Sequence, residues 1–129
     1  MYIERALEPL VRRYSENFKI VAVTGPRQVG KTTMLKHLME EEAESGVDRV
    51  YVTLDNTAIL QTAKEDPALF LQRYRPPVLI DEIQKAPELL PYIKMIVDER
   101  DDCGSVWITG SQPLHLMKAV SESLAGRVG

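Results

Sequence analysis

The chain changes hydrophobic period repeatedly, and each change marks an element. Ile20-Val21-Ala22-Val23, inside Lys19 to Thr24, is short and continuously apolar, which predicts a buried strand running into a glycine-rich turn. From Thr32 to about Glu44, Met34, Leu35, Leu38 and Met39 recur at helical spacing, and Ser45-Gly46 supplies a helix stop. Arg49 to Leu54 predicts a second strand, ended by Asp55-Asn56. Residues 57–74 predict a helix in two pieces broken at Pro67, with Ala68, Leu69 and Leu71 facing inward. Pro76-Pro77 stops it, because a residue before proline avoids the helical region. Val78-Leu79-Ile80 predicts a third strand, apolar on both faces. Leu89, Leu90, Ile93, Ile96 and Val97 form a further helical stripe, and Val106 to Thr109 predicts a fourth strand. Two more helices are expected at the ends, over 2–14 and from Pro113 to Leu124. This alternation of strand and helix predicts an α/β sheet with helices on its faces.

Composition narrows the class. The 129 residues suit one domain, expected to span 1–129. At 44% hydrophobic and 27% charged, the chain has the balance of an ordinary soluble globular protein. A net charge of −3 argues against a domain built mainly to coat nucleic acid, while leaving a local basic patch open. The lone Cys103 has no disulfide partner and no zinc-type spacing around it, and reads as a small partly buried residue or a loop thiol. No apolar run approaches the roughly 18 residues that span a bilayer, so no membrane contact and a reduced cytoplasmic setting are expected.

The chemistry begins after the first strand. Gly25-Pro26-Arg27-Gln28-Val29-Gly30-Lys31-Thr32 satisfies every fixed position of G-x-x-x-x-G-K-[ST], the P-loop. Four residues between the glycines let the backbone wrap a phosphate with its N–H groups pointing inward. The helix that follows adds the positive end of its dipole. In such a loop Lys31 reaches the β- and γ-phosphates and the Thr32 hydroxyl ligates magnesium. A chance match is expected on the order of a few times per thousand chains of this length, and its position between an apolar strand and an amphipathic helix makes chance rarer still.

A second acidic element follows about 50 residues after Lys31, where Val78-Leu79-Ile80 runs into Asp81-Glu82. A carboxylate at the end of an apolar strand beside a P-loop can hold magnesium, directly or through water, and this role falls to Asp81. Glu82 can orient a water or take its proton. After the fourth strand, Thr109 or Ser111 could hydrogen-bond the γ-phosphate; a polar turn capping the next helix is an equal reading of the same residues. Arg127 reads by itself as a surface charge, or as an arginine presented across a subunit contact.

Taken together, Gly25 to Thr33, Leu79-Ile80-Asp81-Glu82-Ile83-Gln84-Lys85, Ile108-Thr109-Gly110-Ser111 and Ser123-Leu124-Ala125-Gly126-Arg127 resemble, in order and spacing, a group of prokaryotic AAA-type ATPases. These are the AAA domain proteins that usually carry a DUF4143 domain after the ATPase core. The resemblance implies a RecA/AAA-like P-loop NTPase, a three-layer sandwich on a mainly parallel sheet with one strand between the P-loop and acidic strands. It also implies ATP with magnesium as ligands, Gly25, Pro26, Arg27, Gln28, Val29, Gly30, Lys31, Thr32 and Thr33 as the nucleotide cradle, Ser111 (or Thr109) as sensor and Arg127 as an arginine finger. The family continues into a fifth core strand and further domains. A chain ending at Gly129 is therefore expected to leave its first strand at an open edge suited to self-association or a partner, without a lid over the base.

The leading expectation is a magnesium-dependent ATPase core with Glu82, Lys31, Ser111 and Arg127 in catalysis and Thr32 and Asp81 on the metal. A nucleotide-binding module with little turnover is the alternative. A small-molecule kinase is a weaker third, since Glu82 suits an activated water better than transfer to a bound hydroxyl.

Overall fold

The computed structural model describes residues 19–24, 31–100 and 103–110. The helices expected over 2–14 and from Pro113 to Leu124 lie outside them. Four strands, β1 (Ile20–Thr24), β2 (Val50–Thr53), β3 (Val78–Asp81) and β4 (Val106–Gly110), form one sheet in the order β1-β4-β3-β2. Every pairing is parallel. The helices are α1 (Lys31–Glu44), α2 (Thr57–Glu65), α3 (Pro67–Arg73) and α4 (Leu89–Asp98), with a 3-10 turn at Ile83–Lys85.

Strand alternation divides the core into two. Val21, Val23, Leu79 and Trp107 face Met34, Leu35 and Leu38 of α1. Ile20, Val52, Val78, Ile80, Val106 and Ile108 face the opposite way, against Ala63, Phe70 and Leu71 of α2 and α3 and Leu89, Leu90, Ile93 and Val97 of α4. The molecule is thus a three-layer α/β/α sandwich, with the all-apolar third strand buried on both sides as expected. The connection from β1 skips across the sheet to β2, whereas those from β2 and β3 step back one strand at a time. Right-handed crossovers running in opposite directions put α1 on one face and α2–α4 on the other.

Local chemistry sets the helix ends. Asn56 caps α2, its side-chain oxygen accepting from the N–H groups of Ala58 and Ile59 at 3.0 and 3.2 Å. Asp66 serves both helices at the Pro67 break: its N–H donates to the Thr62 carbonyl at 2.8 Å and its carboxylate accepts from Leu69 N at 3.1 Å. Pro67 at the first helical position loses nothing by lacking an N–H. At the end of α1, Gly46 takes φ 92° and its N–H reaches the Ala43 carbonyl, while Val47 N reaches that of Glu42. These two bonds form a Schellman cap, which a Cβ at Gly46 would strain.

The expected inward face of the helix after Pro67 is corrected. Ala68 is exposed and Leu69 only half-buried, because Phe70 is the α3 residue that, with Leu71, turns into the core. A large aromatic gains more from burial than an alanine, so the helix rotates to place it. Of the two readings of Cys103, a partly buried residue or a loop thiol, the second holds, since the thiol is exposed.

At the N-terminal edge of the sheet, Arg49 joins three elements. Its guanidinium makes a two-point ion pair with Glu42 of α1 (2.8 and 3.0 Å) and donates to the carbonyls of Val78, Ser105 and Gly104. It also stacks 3.8 Å over the Trp107 ring. This end of the sheet is tied shut, which leaves the carboxyl ends of the strands as the edge available for chemistry.

Candidate active site

In an open parallel sheet a ligand sits outside the carboxyl ends of the strands, where successive connections leave for opposite faces. Here β1 feeds α1 on one face and β3 feeds α4 on the other. Thr24, the last residue of β1, pairs with Gly110 at the end of β4, and α1 begins at Lys31. The helix therefore opens beside the carboxyl edge, toward which it turns the positive end of its dipole.

The acidic pair lies at the same edge. Leu79 and Trp107 belong to the α1-facing core, so Asp81 and Thr109, two residues further along the same strands, point to that face as well. Tyr51 and Thr53 of β2 share it, and Thr53 is the register partner of Asp81. Three hydroxyls consequently converge on one carboxylate. Asp81 Oδ2 accepts from Tyr51 Oη at 3.2 Å and from Thr53 Oγ1 at 3.1 Å, and Oδ1 accepts from Thr109 Oγ1.

The direction of the two threonine bonds is fixed by their neighbours. Thr109 Oγ1 accepts the backbone N–H of Glu82 at 3.1 Å, and Thr53 Oγ1 accepts that of Asp55 at 3.2 Å. Each hydroxyl oxygen takes an N–H on a lone pair, and a carboxylate can only accept, so each hydroxyl proton points at Asp81. Tyr51 is held from the other side by the Lys36 ammonium of α1, 4.3 Å from the ring centroid. Burial, followed by the charge of Asp81 and the hydrogen bond to it, pushes the Tyr51 phenol up to about 12, so it remains a donor at neutral pH.

Glu82 leaves the strand in the left-handed region, at φ 61° and ψ 49°, and is the one non-glycine residue with positive φ among the described residues. A left-handed residue with a Cβ costs about 1–2 kcal/mol. The turn is held because Ile83, the first residue of the 3-10 segment, and Ala86, the residue just after it, are fully buried in the α2–α4 core. Glu82 is itself buried, and its Oε1 accepts from Gln84 Nε2 at 2.8 Å. Next to this turn Lys85 pairs with Asp55 at 2.6 Å, linking it to the end of β2.

The described residues contain no group of three or more His, Cys, Asp or Glu placed to hold a metal. Asp81 offers this edge a carboxylate surrounded by hydroxyls. Such a set suits a hard, oxygen-seeking ion that keeps waters and takes phosphate oxygens as its remaining ligands, which is the habit of magnesium.

Of the site residues anticipated from the sequence, Asp81, Glu82 and Thr109 come together here. Thr33 lies exposed on α1, and Lys31 and Thr32 are its first two residues, described as helix positions only. Gly25, Pro26, Arg27, Gln28, Val29, Gly30, Ser111 and Arg127 lie outside the described residues. Tyr51, Thr53 and Gln84 lie in segments that resemble the family's pattern but were assigned no role in the site. The alternation of Tyr51 and Thr53 on a strand ending at Asp55 is the signal that could have found the first two.

The fold defines an α/β protein with a four-strand, all-parallel sheet of the P-loop NTPase kind. A family model described as AAA domain matches residues 17–129, and the chain belongs to that family. It is 34% identical over 118 residues to an uncharacterized protein of Mycobacterium bovis and, equally, to one of Mycobacterium tuberculosis. The match covers 92% of this chain and 25% of each relative, so the chain spans about a quarter of the length of the relatives it matches. No helix among the described residues is long and apolar enough to cross a membrane.

Proposed function

We propose that the chain is the ATPase core of an AAA-type protein, hydrolysing ATP to ADP and phosphate with magnesium. The observation that carries this reading is the Asp81 carboxylate, fixed by three hydroxyl donors at the carboxyl edge of the sheet, on the face of the helix that follows the Gly25–Thr32 motif. The backbone from Gly25 to Gly30, with Lys31, Thr32 and Thr33, would cradle the phosphates, and Thr32 and Asp81 would hold the metal. When bound, magnesium supplies positive charge that offsets the charge on the phosphate oxygens. Glu82, following Asp81 on a left-handed turn, would orient water and take its proton. Ser111 would bond the γ-phosphate, since the Thr109 hydroxyl is already engaged between Asp81 and Glu82. Arg127 would act as the finger.

The same reading makes residues 1–129 one ATPase core, cytoplasmic, of the group that usually carries a DUF4143 domain. β1 ends the described sheet and is the edge at which self-association would occur. Binding of ATP to the wild-type chain, lost in Lys31→Ala, tests the cradle. Equal affinity in the two proteins would sink it.

A nucleotide-binding switch with little turnover is the second reading. It is favoured by the Gln84 amide, which holds the carboxylate that would otherwise address water.

A further inference from the structure

Resting on the proposal that Asp81 is a magnesium ligand, we infer that Tyr51 and Thr53 of β2 are positioning residues for the metal, setting the orientation of the Asp81 carboxylate to which they donate. The acidic strand alone cannot fix that orientation. An aspartate at a strand end turns about its terminal torsion in a broad, two-fold well, so the plane of its carboxylate is set by whatever it bonds.

Here the constraint comes from both neighbouring strands. On the β4 side Thr109 holds Oδ1; on the β2 side Tyr51 and Thr53 both hold Oδ2. Neither β2 hydroxyl is a loose surface group. Thr53 has its proton aimed by the Asp55 N–H, and Asp55 is in turn paired with Lys85 beside the Glu82 turn. The Tyr51 ring is packed against the α1-facing core and covered by Lys36. The carboxylate plane is thereby tied to α1, which begins at the proposed Lys31–Thr32 end of the phosphate cradle. Outer partners that orient a ligating group typically change metal affinity 10- to 100-fold when removed.

Satisfying a buried carboxylate would by itself explain hydroxyls at these places, and the test separates the two roles. A fluorescent ATP analogue is titrated in excess EDTA and across a magnesium series, using wild type, Tyr51→Phe, Thr53→Val and Thr53→Ser. Manganese binding in the presence of ADP, followed by electron paramagnetic resonance, gives a readout independent of turnover. The expected result is unchanged binding in EDTA, within about two-fold, with the magnesium or manganese requirement raised about 10-fold in Tyr51→Phe and Thr53→Val. Thr53→Ser, which keeps the hydroxyl, stays near wild type. A metal requirement unchanged in both Tyr51→Phe and Thr53→Val, whatever their stability, overturns the inference. Asp81→Ala serves as the control. If it too leaves the metal requirement unchanged, the metal-ligand assignment itself has failed; if it raises the requirement while the β2 variants do not, only the positioning role has failed.

Discussion

Thr109 donates its hydroxyl proton to Asp81 across the β3–β4 pair from a position with no solvent exposure, and the same oxygen accepts the N–H of Glu82 at 3.1 Å. One side chain thus satisfies both halves of the acidic pair, a carboxylate oxygen and the N–H that starts the left-handed turn.

Thr109→Val is nearly isosteric but removes that oxygen, and with it one buried hydrogen bond of the Glu82 N–H and one of Asp81 Oδ1. The expected loss of stability is about 1–3 kcal/mol, read by urea denaturation, with Thr109→Ser recovering most of it. A variant as stable as wild type would mean that water replaces the hydroxyl.

Lys31→Ala should weaken ATP binding at least about 10-fold, as expected for removing a charged hydrogen bond to phosphate. Lys31 is the first residue of α1 and is not one of the stripe positions Met34, Leu35 and Leu38, so the denaturation midpoint should hardly move. Fluorescence binding and a denaturation curve check the two halves of this prediction.

Arg49 lies at the opposite end of the sheet, its side chain 2% exposed against 22% for Glu42. Arg49→Met keeps the bulk and removes every donor, stranding Glu42 and the carbonyls of Val78, Gly104 and Ser105. A loss of about 3–5 kcal/mol is expected by analogy with breaking a buried pair from one side. The nucleotide affinity of the folded fraction should stay unchanged, because the hydrogen bonds of Arg49 to described residues all lie at the amino end of the sheet. A selective loss of binding without loss of stability would contradict this division of labour.

Much of this was legible in the sequence because the patterns were local. The four strands, the helix break at Pro67 and the stop at Ser45-Gly46 all fell where periodicity and punctuation placed them. The place of β4 between β1 and β3 came from the resemblance, since no local pattern encodes strand order. Ala68 was misplaced because a seven-residue helix carries too few turns to define a face, and the bulk of Phe70 settled the matter. The partners of Asp81 were hidden for a different reason. Tyr51 and Thr53 are 30 and 28 positions away in sequence, and only the β2–β3 register brings them to the carboxylate. Arg49 gave no signal either, as its five hydrogen bonds reach α1, β3 and the turn before β4.

The measurement that bears most directly on the account is phosphate release from ATP by wild type and Glu82→Gln, each in magnesium and in EDTA, alongside ATP binding. A glutamine at this position can still accept from Gln84 and keep the fold of the turn, but it cannot take a proton from water. The account predicts magnesium-dependent release by wild type, a fall of about 100-fold or more in Glu82→Gln, and ATP affinity equal within about two-fold. Release at the wild-type rate from Glu82→Gln, or release indifferent to EDTA, would contradict it.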